Sequence, residues 1–276
     1  MTEQATVGMP TPAIQKPPEI QLPPPDKQIA VTTFSVRGWE DYGREGMETF
    51  IAHFPGKIIA YHEDDQTEFP DGGGKVEWRP LLNCEGLDSV LQWCFANPVL
   101  QGVRPEGEYS YQFDCYKFCR KVFAQVDAGL RFWGWMWWLD ADSRLLKDVP
   151  DTLIGDILKS DCTGAMGRLG FHIESGVVVW NTAHPECDKF LRRYRELFLT
   201  GEICGLPGWH DCWAYQKALR DTHTSNKNLT PAARGTMPVM ELSPFNGYIE
   251  HDKGLRKYAR QKPQDILEPR SAPTVG

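Results

Sequence analysis

The chain has no run of eighteen or more apolar residues, so no helix that spans a bilayer is expected. Its opening residues, MTEQATVGMP, hold no basic stretch followed by an apolar one. A secretory signal is therefore not expected, and the cytoplasm (of a host cell, if the chain is phage-encoded) is the expected location. It lacks an excess of positive charge: 30 basic side chains stand against 37 acidic ones, a net charge of -7. That disfavours wrapping a nucleic-acid backbone, although a local basic groove stays open. Eight cysteines are present, at 84, 94, 115, 119, 162, 187, 204 and 212, and none forms a CxxC pair. A zinc knuckle is thus not expected, and reduced thiols are the default. The glycine-rich turn Asp71-Gly72-Gly73-Gly74 lacks a following Gly-Lys-Ser/Thr, which excludes a phosphate loop. No internal repeat is visible.

What is present supports a real core. Hydrophobic residues make up 41% of 276, enough for one large domain or two small ones. Residues 1–27 hold seven of the 21 prolines and few apolar residues, which predicts an extended tail. A folded domain over 28–262 and a loose end over 263–276 follow. Gln28 to Phe34 and Lys57 to Tyr61 read as buried strands, and Gly38 to Gly46 as a loop before a helix over Met47 to His53. Phe113 to Leu130 carries helical periodicity. Trp135 to Leu139 and Gly176 to Asn181 read as fully apolar strands, with helices expected from a cap at Asp151 through Leu158, over Pro185 to Thr200 and over His210 to Arg220. Strands alternating with helices predict an α/β fold with a mostly parallel sheet. Ten tryptophans is a high count, and four lie between Trp133 and Trp138. Alternation sends Trp135 and Trp137 to one face of their strand and Met136 and Trp138 to the other, so this cluster is read as sheet packing; Trp209 and Trp213 are better placed to touch a sugar.

Two constellations carry chemistry. Asp140-Ala141-Asp142 follows the apolar strand at its carboxyl end, where open α/β sheets bind ligands, and two carboxylates so spaced can share a hard cation with a diphosphate. About one such pair arises by chance in a chain of this composition, so the strand before it is what gives the motif weight. His251-Asp252-Lys253-Gly254-Leu255-Arg256-Lys257 fits His-x-x-Gly-x-x-Lys, which chance supplies only ~0.03 times. An imidazole can ligate a metal, a glycine admits close backbone approach to phosphate, and a lysine places a point charge on a leaving phosphate.

The order of these pieces resembles a GT-A-fold glycosyltransferase: an apolar strand ending in Asp-x-Asp, a Ser-Gly-Val strand ending in Asn, an Asp-bearing helix, then His-x-x-Gly-x-x-Lys. The nearest pattern is the glycogenin and lipopolysaccharide-galactosyltransferase type, over roughly Ile29 to Lys257, and the opening Val31 to Ser35 with Tyr42-Gly43 is similar to small bacterial and phage members. The resemblance implies a GT-A sheet flanked by helices and a retaining transfer from a nucleotide-diphosphate sugar, a UDP-sugar above all. It implies Mn²⁺ or Mg²⁺ on Asp140, Asp142 and His251, and Gly254 and Lys257 on the β-phosphate. Thr33, Phe34, Ser35 and Tyr42 would hold the base and ribose. Lys121 is implied as a further donor contact, with Lys117 and Arg120 as rivals, and Ala141 lies between the aspartates. Glu174-Ser175-Gly176 would flank the donor sugar, with Glu174 and Asp211 as the catalytic carboxylates. Glu174 can also be read as a strand cap and Asp211 as a helix cap. A lid over about 229–244 is implied as well. Two departures stand out: Cys212 replaces the family's Gln, and Lys257-Tyr258-Ala259 replaces its Lys-Pro-Trp.

Two other readings remain at this point. Sugar-phosphate nucleotidyltransferases carry a glycine-rich signature after the first strand, and Thr33-Phe34-Ser35-Val36-Arg37-Gly38 is poor in glycine. A non-catalytic carbohydrate-binding relative has no need of Asp140, Asp142, His251, Gly254 and Lys257 together. The acceptor is left open between a glycan, a lipopolysaccharide precursor, a protein side chain and a hydroxymethylated base of phage DNA, for which Arg192, Arg193 and Arg195 offer a basic strip.

Overall fold

A computed structural model describes residues 22–63, 69–235 and 237–251. Gly254, Lys257 and most of both expected tails lie outside the described residues. The elements are β1 (Gln28–Phe34), α1 (Val36–Gly38), α2 (Arg44–His53), β2 (Lys57–His62), β3 (Val76–Pro80), α3 (Leu87–Ala96), β4 (Gln101–Val103), β5 (Tyr109–Asp114), α4 (Cys115–Arg131), β6 (Trp135–Leu139), β7 (Ser143–Leu145), α5 (Leu153–Leu158), β8 (Thr163–Met166), β9 (Glu174–Asn181), α6 (Cys187–Leu199), α7 (Asp211–Thr222), β10 (Asn226–Asn228), α8 (Val239–Leu242) and β11 (Ile249–His251). The main sheet runs β10-β8-β9-β6-β1-β2-β3. Every pairing in it is parallel except those of β9, which runs antiparallel to β6 and β8. The mostly parallel sheet flanked by helices is the architecture expected from the sequence.

The sheet divides the core into two. On one side Met136 and Trp138 pack with α3, α4, α6 and α7 residues such as Leu87, Phe123, Phe190 and Tyr215. On the other, Trp135, Trp137 and Leu139 pack with Phe50 of α2, Ile154 of α5 and Ile249 of β11. The alternation read from the tryptophan segment therefore holds residue by residue. The Trp137 indole donates to Gln28 Oε1 at 3.1 Å and that of Trp135 to the Pro23 carbonyl at 3.1 Å, so the apolar strand leaves neither donor orphaned. Pro23 is itself buried, so packing begins a few residues before Gln28.

Three local readings differ from the structure. The span read as a loop before Met47 is helical: α1, one π turn over Trp39–Gly43, then α2. Burial of Trp39 against Phe34, Phe69 and Trp78, at 5.2–5.4 Å between ring centroids, overrides the breaking tendency of its glycines. At Gly43 a β-carbon would stand 2.4 Å from the Phe34 ring, so glycine is what lets the helix cross it. The second difference is at Phe113, which ends the hairpin strand β5 instead of opening a helix. Asp114 caps α4, its carboxylate accepting from Lys117 N at 2.8 Å. Further on, the cap position of α5 falls to Thr152 instead of Asp151, with no side-chain hydrogen bond. No helix among the described residues is long and apolar enough to cross a membrane.

Trp137→Ala removes a fully buried indole and orphans Gln28, and is expected to destabilise the domain by about 3–5 kcal/mol. Urea unfolding read by far-ultraviolet dichroism measures this; a loss below about 1 kcal/mol would show that this face repacks freely.

Candidate active site

The end of β6 and the short β7–β11 ladder converge. β6 ends at Leu139, and Ser143 N donates to Asp140 O at 2.8 Å, closing the turn that carries Asp140 and Asp142. β7 then pairs antiparallel with β11, placing His251 opposite Ser143. One ligand atom from each of Asp140, Asp142 and His251 lies within 4.8 Å of the others. His251 Nε2 is 3.0 Å from Asp142 Oδ1 and 3.6 Å from Asp140 Oδ2. Neighbouring ligands of a six-coordinate ion with bonds near 2.1 Å stand about 3 Å apart, so the group fits a divalent cation. Two carboxylates with an imidazole suit Mn²⁺ better than Mg²⁺, which prefers oxygen alone. Gly176 makes room for the imidazole: a β-carbon there would stand 2.2 Å from His251 Cε1.

Lys121 joins this group to a second one. It is buried on α4, and its ammonium lies 2.7 Å from Asp140 Oδ1, 2.7 Å from Asp211 Oδ2 and 2.9 Å from the Ser175 carbonyl. An ammonium has three protons, and these acceptors take all of them. Lys121 is therefore a brace between carboxylates. Burial works against its charge, yet Asp140 and Asp211 outweigh burial and raise its pKa. Of its rivals, Arg120 pairs with Glu63 at 3.1 Å, and Lys117 lies exposed over the Phe118 ring.

Asp211 opens α7 but does not cap it. Its Oδ2 accepts a short hydrogen bond from Ser175 Oγ and faces Lys121. Burial pushes its pKa up, and the Lys121 and His210 charges with these hydrogen bonds reverse that, holding it at about 2. Burial pushes His210 down to about 4 and the Cys212 thiol far up. His210, Asp211 and Cys212 also gather within 4.8 Å, but Lys121 already occupies the carboxylate and the thiol stays protonated, so this group does not suit a cation. Glu174 opens β9; its carboxylate accepts from Arg168 at 3.1 Å and from Gly176 N at 3.3 Å.

The first-strand residues are split. Ser35 Oγ caps α1, accepting from Gly38 N at 3.0 Å, and the Phe34 side chain is in the core. Thr33 Oγ1 is buried without a hydrogen-bond partner among the described residues. Tyr42 lies in the π turn, its hydroxyl beside Gly38. Ser35 and Trp39 line a cleft with His62, Glu63 and Phe69 at the carboxyl ends of β1 and β2. The structure thus brings Lys121, Asp140, Asp142, Glu174, Ser175, Gly176, Asp211 and His251 together; of the first-strand residues, Phe34 and Ser35 line the cleft, and Thr33 and Tyr42 do not.

Two participants escape the sequence reading. Trp138 Nε1 donates to Asp140 Oδ1 at 2.6 Å, and i, i+2 spacing on one strand face was the available signal. Arg168 has no local signal at all. The arginine strip also changes meaning: Arg192 pairs with Asp188, Arg193 with Glu202 and Asp221, and Arg195 with Glu85, all within 2.9 Å.

No family model and no curated protein matches the chain. Among solved structures it is similar in fold to the galactosyltransferase LgtC in complex with donor and acceptor sugar analogs, at 14% identity and a TM-score of 0.48 over 82% of this chain and 87% of that one. An active-site mutant of LgtC gives 13% and 0.42 over the same shares. The apo form of the glycosyltransferase GlyE of Streptococcus pneumoniae TIGR4 gives 14% and 0.40, over 72% of this chain and 44% of that one. These are likenesses of fold alone and assign no residue.

Gly176→Ala displaces the imidazole, which lies at the end of a side chain, so Mn²⁺ affinity is expected to fall by at least about tenfold with the fold retained. Calorimetric titration with Mn²⁺ checks this, and an unchanged affinity contradicts the geometry. In Asp211→Asn, Lys121 loses a buried counter-charge, at a cost of about 3 kcal/mol at neutral pH. Because the folded Asp211 sits at about 2, below the ordinary 3.8, its contribution is present above pH 3.8 and lost as the pH falls toward 2. Urea unfolding at pH 7, 4 and 3 is expected to show that acid limb in the wild type and a flatter one in Asp211→Asn.

Proposed function

We propose that the chain is a metal-dependent GT-A-type glycosyltransferase that moves a sugar from a nucleotide-diphosphate sugar, a UDP-sugar above all, to a hydroxyl acceptor with retention of configuration, acting in the cytoplasm. The observation that carries this reading is the meeting of Asp140, Asp142 and His251 at the carboxyl end of the sheet, with one atom of each within 4.8 Å. Bound there, Mn²⁺ or Mg²⁺ would supply positive charge against the donor diphosphate.

The protein's own groups then have distinct tasks. Trp138 and Lys121 hold Asp140 Oδ1, which turns Oδ2 toward His251. The bond from the anomeric carbon to the diphosphate oxygen breaks, and that oxygen keeps the electron pair. The acceptor hydroxyl oxygen forms the new bond to the anomeric carbon and gives up its proton to the departing diphosphate oxygen. Glu174 is the carboxylate assigned to stabilise the developing positive sugar centre, with Arg168 fixing its orientation. Asp211 keeps Lys121 charged and in place, a positioning task, because both its partners bind its buried oxygen. Gly254 and Lys257 are assigned to the leaving phosphate on the motif alone, and the cleft of Ser35, Trp39 and His62 to the base and ribose.

Asp142→Ala is expected to abolish both Mn²⁺-dependent hydrolysis of the UDP-sugar and transfer, measured as UDP release across a donor panel. Full activity of the purified variant would falsify the assignment.

A further inference from the structure

Beside Asp211 lies a set of rings that the donor site does not use. His210 is buried at its centre, with ring centroids of His172 at 4.8 Å, Phe118 at 5.6 Å and Tyr111 at 6.5 Å. His172 in turn meets Trp213 at 5.5 Å. These residues come from β5, α4, the segment before β9, and α7, four places remote in sequence that the fold gathers at one edge of the site. The gathering is fixed by backbone: Trp209 N donates to the Gln112 carbonyl at 2.7 Å, stitching the segment before α7 to the hairpin that carries Tyr111. The Trp213 ring is seated over Gly208, where a β-carbon would stand 2.8 Å from Cδ1. Tyr111 is 56% exposed, and His172 and Trp213 are half-buried, so the rim opens to solvent over a buried floor.

The rim also has polar handles in a defined sense. His172 Nδ1 lies 2.8 Å from the Ile173 carbonyl, and a carbonyl only accepts, so Nδ1 donates there and Nε2 is the ring nitrogen left for a ligand. Trp213 Nε1 donates to no protein group among the described residues and lies on the ring edge that packs at Gly208. Aromatic faces with ring nitrogens as polar handles match the alternating C–H faces and hydroxyls of a pyranose. They do not match a polyanion: a nucleic-acid strand needs a row of unpaired cations, and Arg192, Arg193 and Arg195 are each tied to carboxylates on α6 and around it.

We propose that Tyr111, His172 and Trp213 form the acceptor subsite and that the acceptor is a neutral oligosaccharide whose terminal sugar stacks on this rim, presenting a hydroxyl toward Glu174. This rests on the glycosyltransferase reading. The rim is continuous with the donor side: Ser175 Oγ touches Asp211 and Cys212, and Gly176 beside it bears the His251 ring.

The test supplies the full chain with Mn²⁺, the UDP-sugar that it hydrolyses, and a panel of neutral hexose- and N-acetylhexosamine-terminated oligosaccharides beside hydroxymethylated duplex DNA. Transfer to at least one oligosaccharide is expected, with an acceptor KM raised about tenfold or more in Trp213→Ala and Tyr111→Ala and largely restored in Trp213→Phe, which keeps a ring. His172→Gln retains a hydrogen-bonding side chain and is expected to change the acceptor KM less than His172→Ala does. Acceptor KM unchanged in both alanine variants at Trp213 and Tyr111 overturns the proposal, as does transfer to DNA alone. Donor hydrolysis with no oligosaccharide accepted overturns it too, leaving the donor reading standing. Absence of donor hydrolysis and of UDP binding in the wild type removes the donor reading itself, and this proposal with it.

Discussion

One buried ammonium governs the site. Lys121 is enclosed by α4 and the sheet, where an isolated charge is expensive, and it stays charged because Asp140 and Asp211 lie 2.7 Å away on opposite sides. The dependence is mutual. Without Lys121, Asp211 is a buried carboxylate left with the Ser175 hydroxyl, the Cys212 thiol and the His210 ring, and Asp140 Oδ1 keeps only the Trp138 indole. The fold thus holds three carboxylates close together and neutralises part of their repulsion from within. What remains is a net negative pocket formed by Asp140 and Asp142, which is where a cation gains most.

Packing gives that arrangement its rigidity. All five residues of β6 are buried, and their large rings interlock with helices on both faces. A strand so held delivers Asp140 without slack, and Asp140 N donates to the Gly176 carbonyl at 2.9 Å, which ties the turn to β9. The antiparallel course of β9 matters here: it brings the beginning of that strand, Glu174 to Gly176, to the same edge where β6 ends. A parallel β9 would have put its carboxyl end there instead, and Asn181 with it.

The sequence made part of this legible. The apolar run of β6 and the two aspartates behind it have a local signature, and His251 was found by a motif of low chance frequency. The two-faced tryptophan pattern followed from a period of two. Other parts had no local signal. Nothing around Lys121 says that its three protons meet Asp140, Asp211 and Ser175, because those partners come from three other elements. Trp39 made a helix of a glycine-flanked stretch through rings at Phe69 and Trp78, again a tertiary cause. Arg193 and Arg195 looked like parts of a basic strip because Asp221, Glu202 and Glu85 lie on other segments, whereas Asp188, four residues before Arg192 on α6, was a local signal. Local chemistry was readable; charge pairing across the fold was not.

β11 is only three residues long, follows every strand of the main sheet, and reaches the site by pairing with β7. Closing so long a loop for so short a ladder sets an order of events during synthesis. A chain emerging from the ribosome holds the strands of the main sheet and the Lys121 brace before Ile249 and His251 are available. The imidazole arrives after most of the scaffold around it. The side chains of this pocket therefore come together only once the β7–β11 ladder closes.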